Sequence, residues 1–377
     1  MFGGEMKQSR VTLRDIADTV GTSISTVSLA LRDDARVSEK LRRTIQNTAA
    51  ELGYKVDLLG SMMRSNTPHV LGVVGRFDQE LHAHYIRLLG EEARLRGYQL
   101  VAENAAAYEH MSEAFKTLAQ FRITTTIAIN PDPDDHNESS ENGPSVVIGQ
   151  ERVFPHADLM TSRNESGAEE LAEHLDTLGH RSIVYFDGEP GVSAQSRREA
   201  VIAACHRHRI RVDTVAAGAT MDAGFTAASR LMADQWAQRR QRTRRTDGGR
   251  LGDYSALVGY NDHCIQGAAV ALMGAGVRIP TDISLAGFDN SQVAQSTTFN
   301  LTSVDRGVRK IATIALDRAI ERITHPDLDG ITIGVDSHLV IRTSTGRAFY
   351  LNDSTPILFP SRNPPTDDSV GRATCEH

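Results

Sequence analysis

The chain has 377 residues, enough for two or three domains with sizeable cores, and the composition of an ordinary globular protein. Its net charge of −7 speaks against a DNA partner until it is divided: residues 1–67 carry ten Lys or Arg against eight Asp or Glu, whereas the remaining 310 residues carry 31 against 40. Long apolar runs and a signal-peptide core are missing, and Cys205, Cys264 and Cys375 lie far apart outside any C-x-x-C pair. A membrane span, a disulfide framework and a zinc ribbon are therefore excluded, and a reducing cytoplasm is expected.

The first fifty residues read as three short helices. Leu13, Ile16, Ala17 and Val20 recur at helical spacing behind Thr12-Leu13-Arg14-Asp15, a capping-box pattern, and Gly21 suits the left-handed stop. Ser23 can cap a second helix with Ile24, Val27 and Leu31 inward and Ser25, Thr26, Ser28 and Leu29 largely outward. Val37-Ser38-Glu39 starts a third, marked by Leu41, Ile45, Ala49 and Leu52 and ending at Gly53-Tyr54. Two helices joined by a short Gly-containing turn, with a third behind, form a helix-turn-helix, whose second helix enters the DNA major groove. The hydroxyls of that helix then suit phosphates or base edges, and Arg36, Lys40, Arg42 and Arg43 suit phosphates. On a bland surface module the same side chains would simply be solvated.

From about residue 68 strands alternate with helices. Strands are expected at 70–74, 99–102, 126–129, 146–148, 183–186, 256–259 and 283–287, with amphipathic helices at 83–96, 166–178 and 264–275. That is an α/β arrangement with parallel sheets, long enough for two of them, with a cleft between two lobes as the natural ligand site. Arg239, Arg240, Arg242, Arg244, Arg245 and Arg250 mark residues 237–252 as a surface loop, and the Pro-containing tail 348–377 is expected to lack regular structure.

With these residues in view the chain resembles the lactose-repressor (LacI/GalR) family of transcription regulators over residues 11 to about 347. The resemblance is carried by VTLRDIADTVGTSISTVS at 11–28, VSEKLR at 37–42, ELGY at 51–54, LGHR at 178–181, ND at 261–262, GVRIPTDISLAGFD at 276–289, LTSV at 301–304 and RTST at 342–345. It implies an all-α helix-turn-helix headpiece (1–56), a hinge helix or linker (57–67) and a two-lobed sensor resembling periplasmic sugar-binding proteins (68–347). The lobes would be 68–161 with 306–334 and 162–305 with 335–347, the chain crossing between them three times. The implied partners are a pseudo-palindromic double-stranded operator, a second copy of the chain, and a small polar effector, a sugar or sugar-like molecule. Thr12, Ser23, Ile24, Ser25, Thr26, Ser28, Leu29, Arg32, Arg36 and Met63 are the expected DNA contacts, and His82, Arg197, Asn261 and Asp289 the expected effector contacts.

Departures from the family pattern are informative. Leu29 stands where the family usually places a base-reading Arg after T-V-S, so the operator does not transfer. In the hinge, Val56-Asp57, Gly60-Ser61 and Met63 replace the usual Pro-Asn, Ala-Arg and lever Leu. Gly60 costs a helix about 1 kcal/mol relative to Ala, so this helix is expected to form only on DNA, where Met63 would act as an apolar wedge rather than a plain linker residue. Gln79-Glu80-Leu81-His82 replaces Asn-Pro-Phe-Phe, and Gly149 an acidic residue, so the effector pocket is remodelled.

No catalytic, metal or cofactor site is expected. His82/His84 and His206/His208 have i, i+2 spacing, which on a helix sends the rings apart; Ser193 lacks a nucleophile elbow and reads as a helix cap; Gly72-Val73-Val74-Gly75 is no dinucleotide fingerprint. An effector-controlled repressor is the favoured reading. The alternatives are a cytoplasmic small-ligand-binding protein with weakened or lost operator binding, and an α/β enzyme with a helical appendage.

Overall fold

The computed structural model describes residues 11–31, 33–54, 69–121, 123, 125–132, 135, 143–241 and 254–348, with backbone alone at 235–241. The hinge 57–67, Arg32, Met63 and the tail 349–377 lie outside the described residues. The chain divides into two compact units, Met1–His69 and Val70–His377.

In the first unit, Thr12 and Asp15 close the expected box: the Asp15 N–H reaches Thr12 Oγ1 at 3.4 Å and the Thr12 N–H reaches Asp15 Oδ2 at 2.7 Å. Helix α1 (Leu13–Val20) follows, stopped by Gly21 at φ 73°, a left-handed conformation that a side chain would strain. Ser23 caps α2 (Ile24–Ala30) by accepting from the Thr26 N–H at 3.1 Å. Helix α3 (Glu39–Glu51) starts after Ser38, whose side chain makes no capping bond, contrary to the expected capping start. Ile16, Ala17, Val27, Ala30, Val37, Ile45 and Ala49 form the core. Ile24, expected inward, is 42 % exposed, because the inward stripe of so short a helix needs only Val27 and Ala30.

The second unit holds two six-stranded sheets. The first comprises β1 (Val70–Gly75), β2 (Gln99–Asn104), β3 (Thr126–Ile129), β4 (Val146–Ile148), β5 (Asp158–Arg163) and β11 (Thr332–Asp336), in the order β11-β5-β4-β3-β1-β2 and parallel throughout. The second comprises β6 (Ser182–Asp187), β7 (Arg211–Ala216), β8 (Ala256–Gly259), β9 (Ser284–Phe288), β10 (Thr302–Asp305) and β12 (His338–Val340), in the order β12-β10-β9-β8-β6-β7. Here β12 runs antiparallel to β10, a departure from purely parallel sheets. The helices between are α4 (Glu80–Leu95), α5 (Met111–Gln120), α6 (Asn164–Thr177), α7 (Val192–Arg207), α8 (Met221–Gln241), α9 (Asp262–Gly274), the short α10 (Gln292–Gln295) and α11 (Val308–Thr324).

Strand alternation builds the second lobe's two cores. Along β6, Val184 and Phe186 join the cluster beneath α8 and α9, while Ile183 and Tyr185 join the one beneath α6 and α7. The first lobe's main cluster packs α4 and α11 on β1, β3 and β4. Helix α11 is fastened by ion pairs to a fully buried carboxylate: Arg318 Nε and Arg322 Nη2 each lie 2.9 Å from Asp158.

The chain passes between the sheets after β5, after β10 and between β11 and β12. Gly307, at φ 70°, turns the second passage, and a side chain there would strike Val335. Helix α8 runs through Gln241, so the first residues of the expected 237–252 loop are helical. Among the described residues no helix is long and apolar enough to cross a membrane.

Candidate functional site

The headpiece presents its hydroxyls as a connected group. Ser23 Oγ lies 2.7 Å from Ser25 Oγ and 2.8 Å from Thr26 Oγ1, so the exposed start of α2 satisfies its own polar atoms while remaining open to other partners. Thr12 Oγ1 donates to Asp15 Oδ2 at 2.8 Å, and hydrogen bonds from Thr12 hold the Asp15 carboxyl below its ordinary range. Ser28 is half-buried on the same helix. Leu29 departs from the outward expectation: it is half-buried and packs against the headpiece core. Arg36 is exposed and pairs with Asp34 at 2.7 Å, and Arg43 pairs with Glu39.

In the second unit the residues following six strands converge on one cleft of about 650 Å³. Arg76 and Asp78 follow β1, Asn130 follows β3, Glu189 follows β6, Tyr260 and Asn261 follow β8, Asp289 follows β9 and Arg306 follows β10. Across it Glu80 of α4 contacts His263 of α9, joining the two lobes.

Three of the four expected effector contacts line this cleft. Arg197 is 1 % exposed, its Cζ 4.4 Å from the Tyr260 ring centroid and 4.9 Å from that of Phe288, and it donates to the Tyr260 carbonyl and faces Asp289 at 3.5 Å. Asn261 is a helix cap: its Oδ1 accepts from the Cys264 N–H and its Nδ2 donates to the Ala219 carbonyl, both at 2.9 Å. His82 is the exception. It is 1 % exposed, absent from the cleft wall, and its Nδ1 accepts from the Arg76 N–H at 3.0 Å, because the helical spacing that sends His84 to the cleft turns His82 inward. Burial pushes the His82 imidazole down to about 4, so it is neutral near neutrality.

Sequence reading missed Arg76, Tyr260, Asp262 and Arg306. The family-like LTSV ends two residues short of Arg306, and only the strand-end rule could have marked it. Burial, with Asp289 nearby, pushes the Asp262 carboxyl up to about 7; it accepts from Ser303 Oγ at 2.7 Å and the Ser291 N–H at 2.8 Å. Ser193, expected as a helix cap, is the second residue of α7, whose N-cap is Gly191.

Residues 12–57 match the family described as bacterial regulatory proteins, lacI family, and residues 172–345 match the periplasmic binding protein-like domain. The chain belongs to the lacI family of bacterial regulatory proteins. This lacI-family chain is 25 % identical over 344 residues to the HTH-type transcriptional repressor PurR of Mannheimia succiniciproducens, covering 88 % of this chain and 98 % of that one. It is 25 % identical over 329 residues to the ribose operon repressor of Escherichia coli K12, covering 84 % and 94 %. A crystal structure of the Lac repressor dimer bound to operator and the anti-inducer ONPF shares its fold, with TM-score 0.71, 22 % identity and coverage of 90 % and 100 %. The chain is a transcriptional regulator of this family, with a helical headpiece and a two-lobed α/β unit.

Proposed function

We propose that the protein is a cytoplasmic, homodimeric repressor that reads a pseudo-palindromic operator through the start of α2 and is controlled by a small polar molecule held in the cleft. The observation that carries the DNA half is the exposed, hydroxyl-rich start of a capped second helix inside the segment that matches the lacI-family model. Ser25, Thr26 and Ser28 would touch phosphates or base edges from α2, with Thr12, Ser23, Ile24 and Arg36 at its borders. Arg32 and Met63 belong to the same proposal from outside the described residues. For the cleft, Arg197 and Asp289 are the proposed contacts, Asn261 shapes the wall, and His82 acts from behind it.

Selection from a random duplex library tests this reading. The expected result is a two-fold-symmetric motif bound by two copies of the chain, with affinity falling steeply as salt rises, because phosphate contacts release counterions. Recovery of unrelated sequences without symmetry would favour the alternative of a ligand-binding protein that has lost its operator.

A further inference from the structure

The inner wall of the cleft has an imbalance of charge. Arg306 is 4 % exposed, and among the described residues its single hydrogen-bond partner is Asp289 at 3.4 Å, while its buried Nε has none. Arg197, equally buried, also leans on Asp289 and also leaves Nε unpartnered. Its charge at least lies against two aromatic faces. One carboxylate thus stands between two buried guanidinium groups, each with five donors, and burying a cation this incompletely paired is costly.

The remaining acids of the cleft cannot make up the deficit. Asp262 is held by Ser303 and Ser291, Asp78 faces Arg76 at 3.3 Å, Glu80 meets His263, and Glu189 accepts from the Ala219 N–H at 3.3 Å. Asp262, Asp78 and Glu80 are thus engaged, Glu189 lies at the exposed rim, and the surplus donors of the inner wall belong to the cations Arg197 and Arg306. We infer that the effector carries an anionic oxygen group, a carboxylate or a phosphate, on a hydroxylated frame, and that Arg306 is the residue that anchors it. This rests on the cleft being the effector site. A neutral polyol would offer Arg306 hydroxyl acceptors but no counter-charge, and an amine would meet two like charges.

Calorimetry on the full chain with matched pairs tests the inference: a hexuronate and a hexose phosphate, each against its neutral hexose, with an amino sugar as the cationic member. One acid is expected to bind at least about tenfold more tightly than its neutral counterpart, and the pair that does so tells carboxylate from phosphate. Arg306→Gln is expected to erase that preference by weakening the acid at least about tenfold more than its neutral counterpart, and Arg306→Lys to restore part of it. Because Arg306 is buried, Asp289→Asn provides a second reading: removing the internal competitor should make the acid raise the melting temperature more than it does in the wild type. An acid preference that survives Arg306→Gln overturns the inference. A neutral or amino sugar binding as tightly as the acids overturns it too, but leaves the cleft as the effector site. Silence of the whole panel, with operator release still produced by a small-molecule extract of cells, removes the anion and keeps the effector.

Discussion

The headpiece and the two-lobed unit treat their polar groups in opposite ways. At the start of α2 the hydroxyls of Ser23, Ser25 and Thr26 are bonded to one another, so none of the three depends on a further partner for its hydrogen bonds. At the inner wall of the cleft Arg197, Arg306 and Asp262 are buried, and the two arginines share the Asp289 carboxylate. A surface that is complete by itself can be reshaped by point changes with little effect on folding, whereas a site built of buried charge couples recognition to stability.

The largest expected effect attacks the second unit. Asp158→Asn removes the charge that Arg318 and Arg322 grip, leaving the buried Arg322 without a counter-ion and Arg318 with Glu321 alone, and should lower the stability of this unit by about 3 to 5 kcal/mol. Burial pushes the Asp158 carboxyl up, but hydrogen bonds from Arg322 and Arg318 outweigh it and hold it below its ordinary value. Its contribution is therefore present above about pH 4 and lost as pH falls through the depressed value. Denaturant unfolding of the wild type and variant should converge in strong acid; a constant gap would show that the pair acts through packing alone.

In the headpiece, Val27→Ser places a hydroxyl in a seven-residue core and should cost about 2 to 4 kcal/mol, enough to melt so small a unit. Calorimetry is expected to show the headpiece transition lost and that of the second unit unmoved. A joint fall of both would mean that the units do not fold independently.

A smaller effect separates two titrating groups. Burial holds His82 and His180 down to about 4, so the unfolded state binds more protons between about pH 4 and 6.5, and acidification through that window destabilises the second unit. Asp262, raised to about 7, has the opposite sign: its contribution is lost as pH rises from about 4 through 7. His82→Gln should flatten the acid side of the melting-temperature profile and Asp262→Asn the neutral side. Profiles identical to wild type would mean that neither group titrates in this range.

The smallest change in stability and the sharpest change in reading are expected from Leu29→Arg. The side chain is half-buried, so its replacement should cost about 1 kcal/mol, while a bidentate contact to guanine adds roughly 1 to 3 kcal/mol of discrimination at one symmetric position in each half-site. Binding over all single-base operator variants provides the measurement. An unchanged profile would show that α2 does not read the groove at this residue.

The headpiece was legible because its signals are local: Thr12 with Asp15, Gly21 and Ser23 act within one turn of themselves. Sequence reading failed there for the Ser38 cap, which makes no side-chain bond, and for Ile24 and Leu29, where a seven-residue helix leaves the boundary of its inward face ambiguous. In the second unit β1, β2, β3, β4, β6, β8 and β9 were legible, but β5, β7, β10, β11 and β12 were not. Three of these, β7, β11 and β12, lie at sheet edges and are largely half-buried or exposed, and β7, none of whose residues is fully buried, has no apolar stripe to detect. The cleft was half legible because its members come together only after folding. Arg76 and Arg306 lie 230 positions apart, and nothing in either neighbourhood signals the other.

The triple passage between the sheets also sets an order of assembly. Asp158 waits for Arg318 and Arg322, which lie 160 and 164 residues further on, and β5 waits for β11 beside it. At roughly 5 to 20 residues per second, a ribosome needs about 8 to 32 s to deliver those partners. Throughout that interval the first lobe carries an uncovered carboxylate and an open strand edge, although most of the second lobe is already made. Its completion is thus a late event in synthesis, and the nascent chain is most exposed to wrong pairings before α11 emerges.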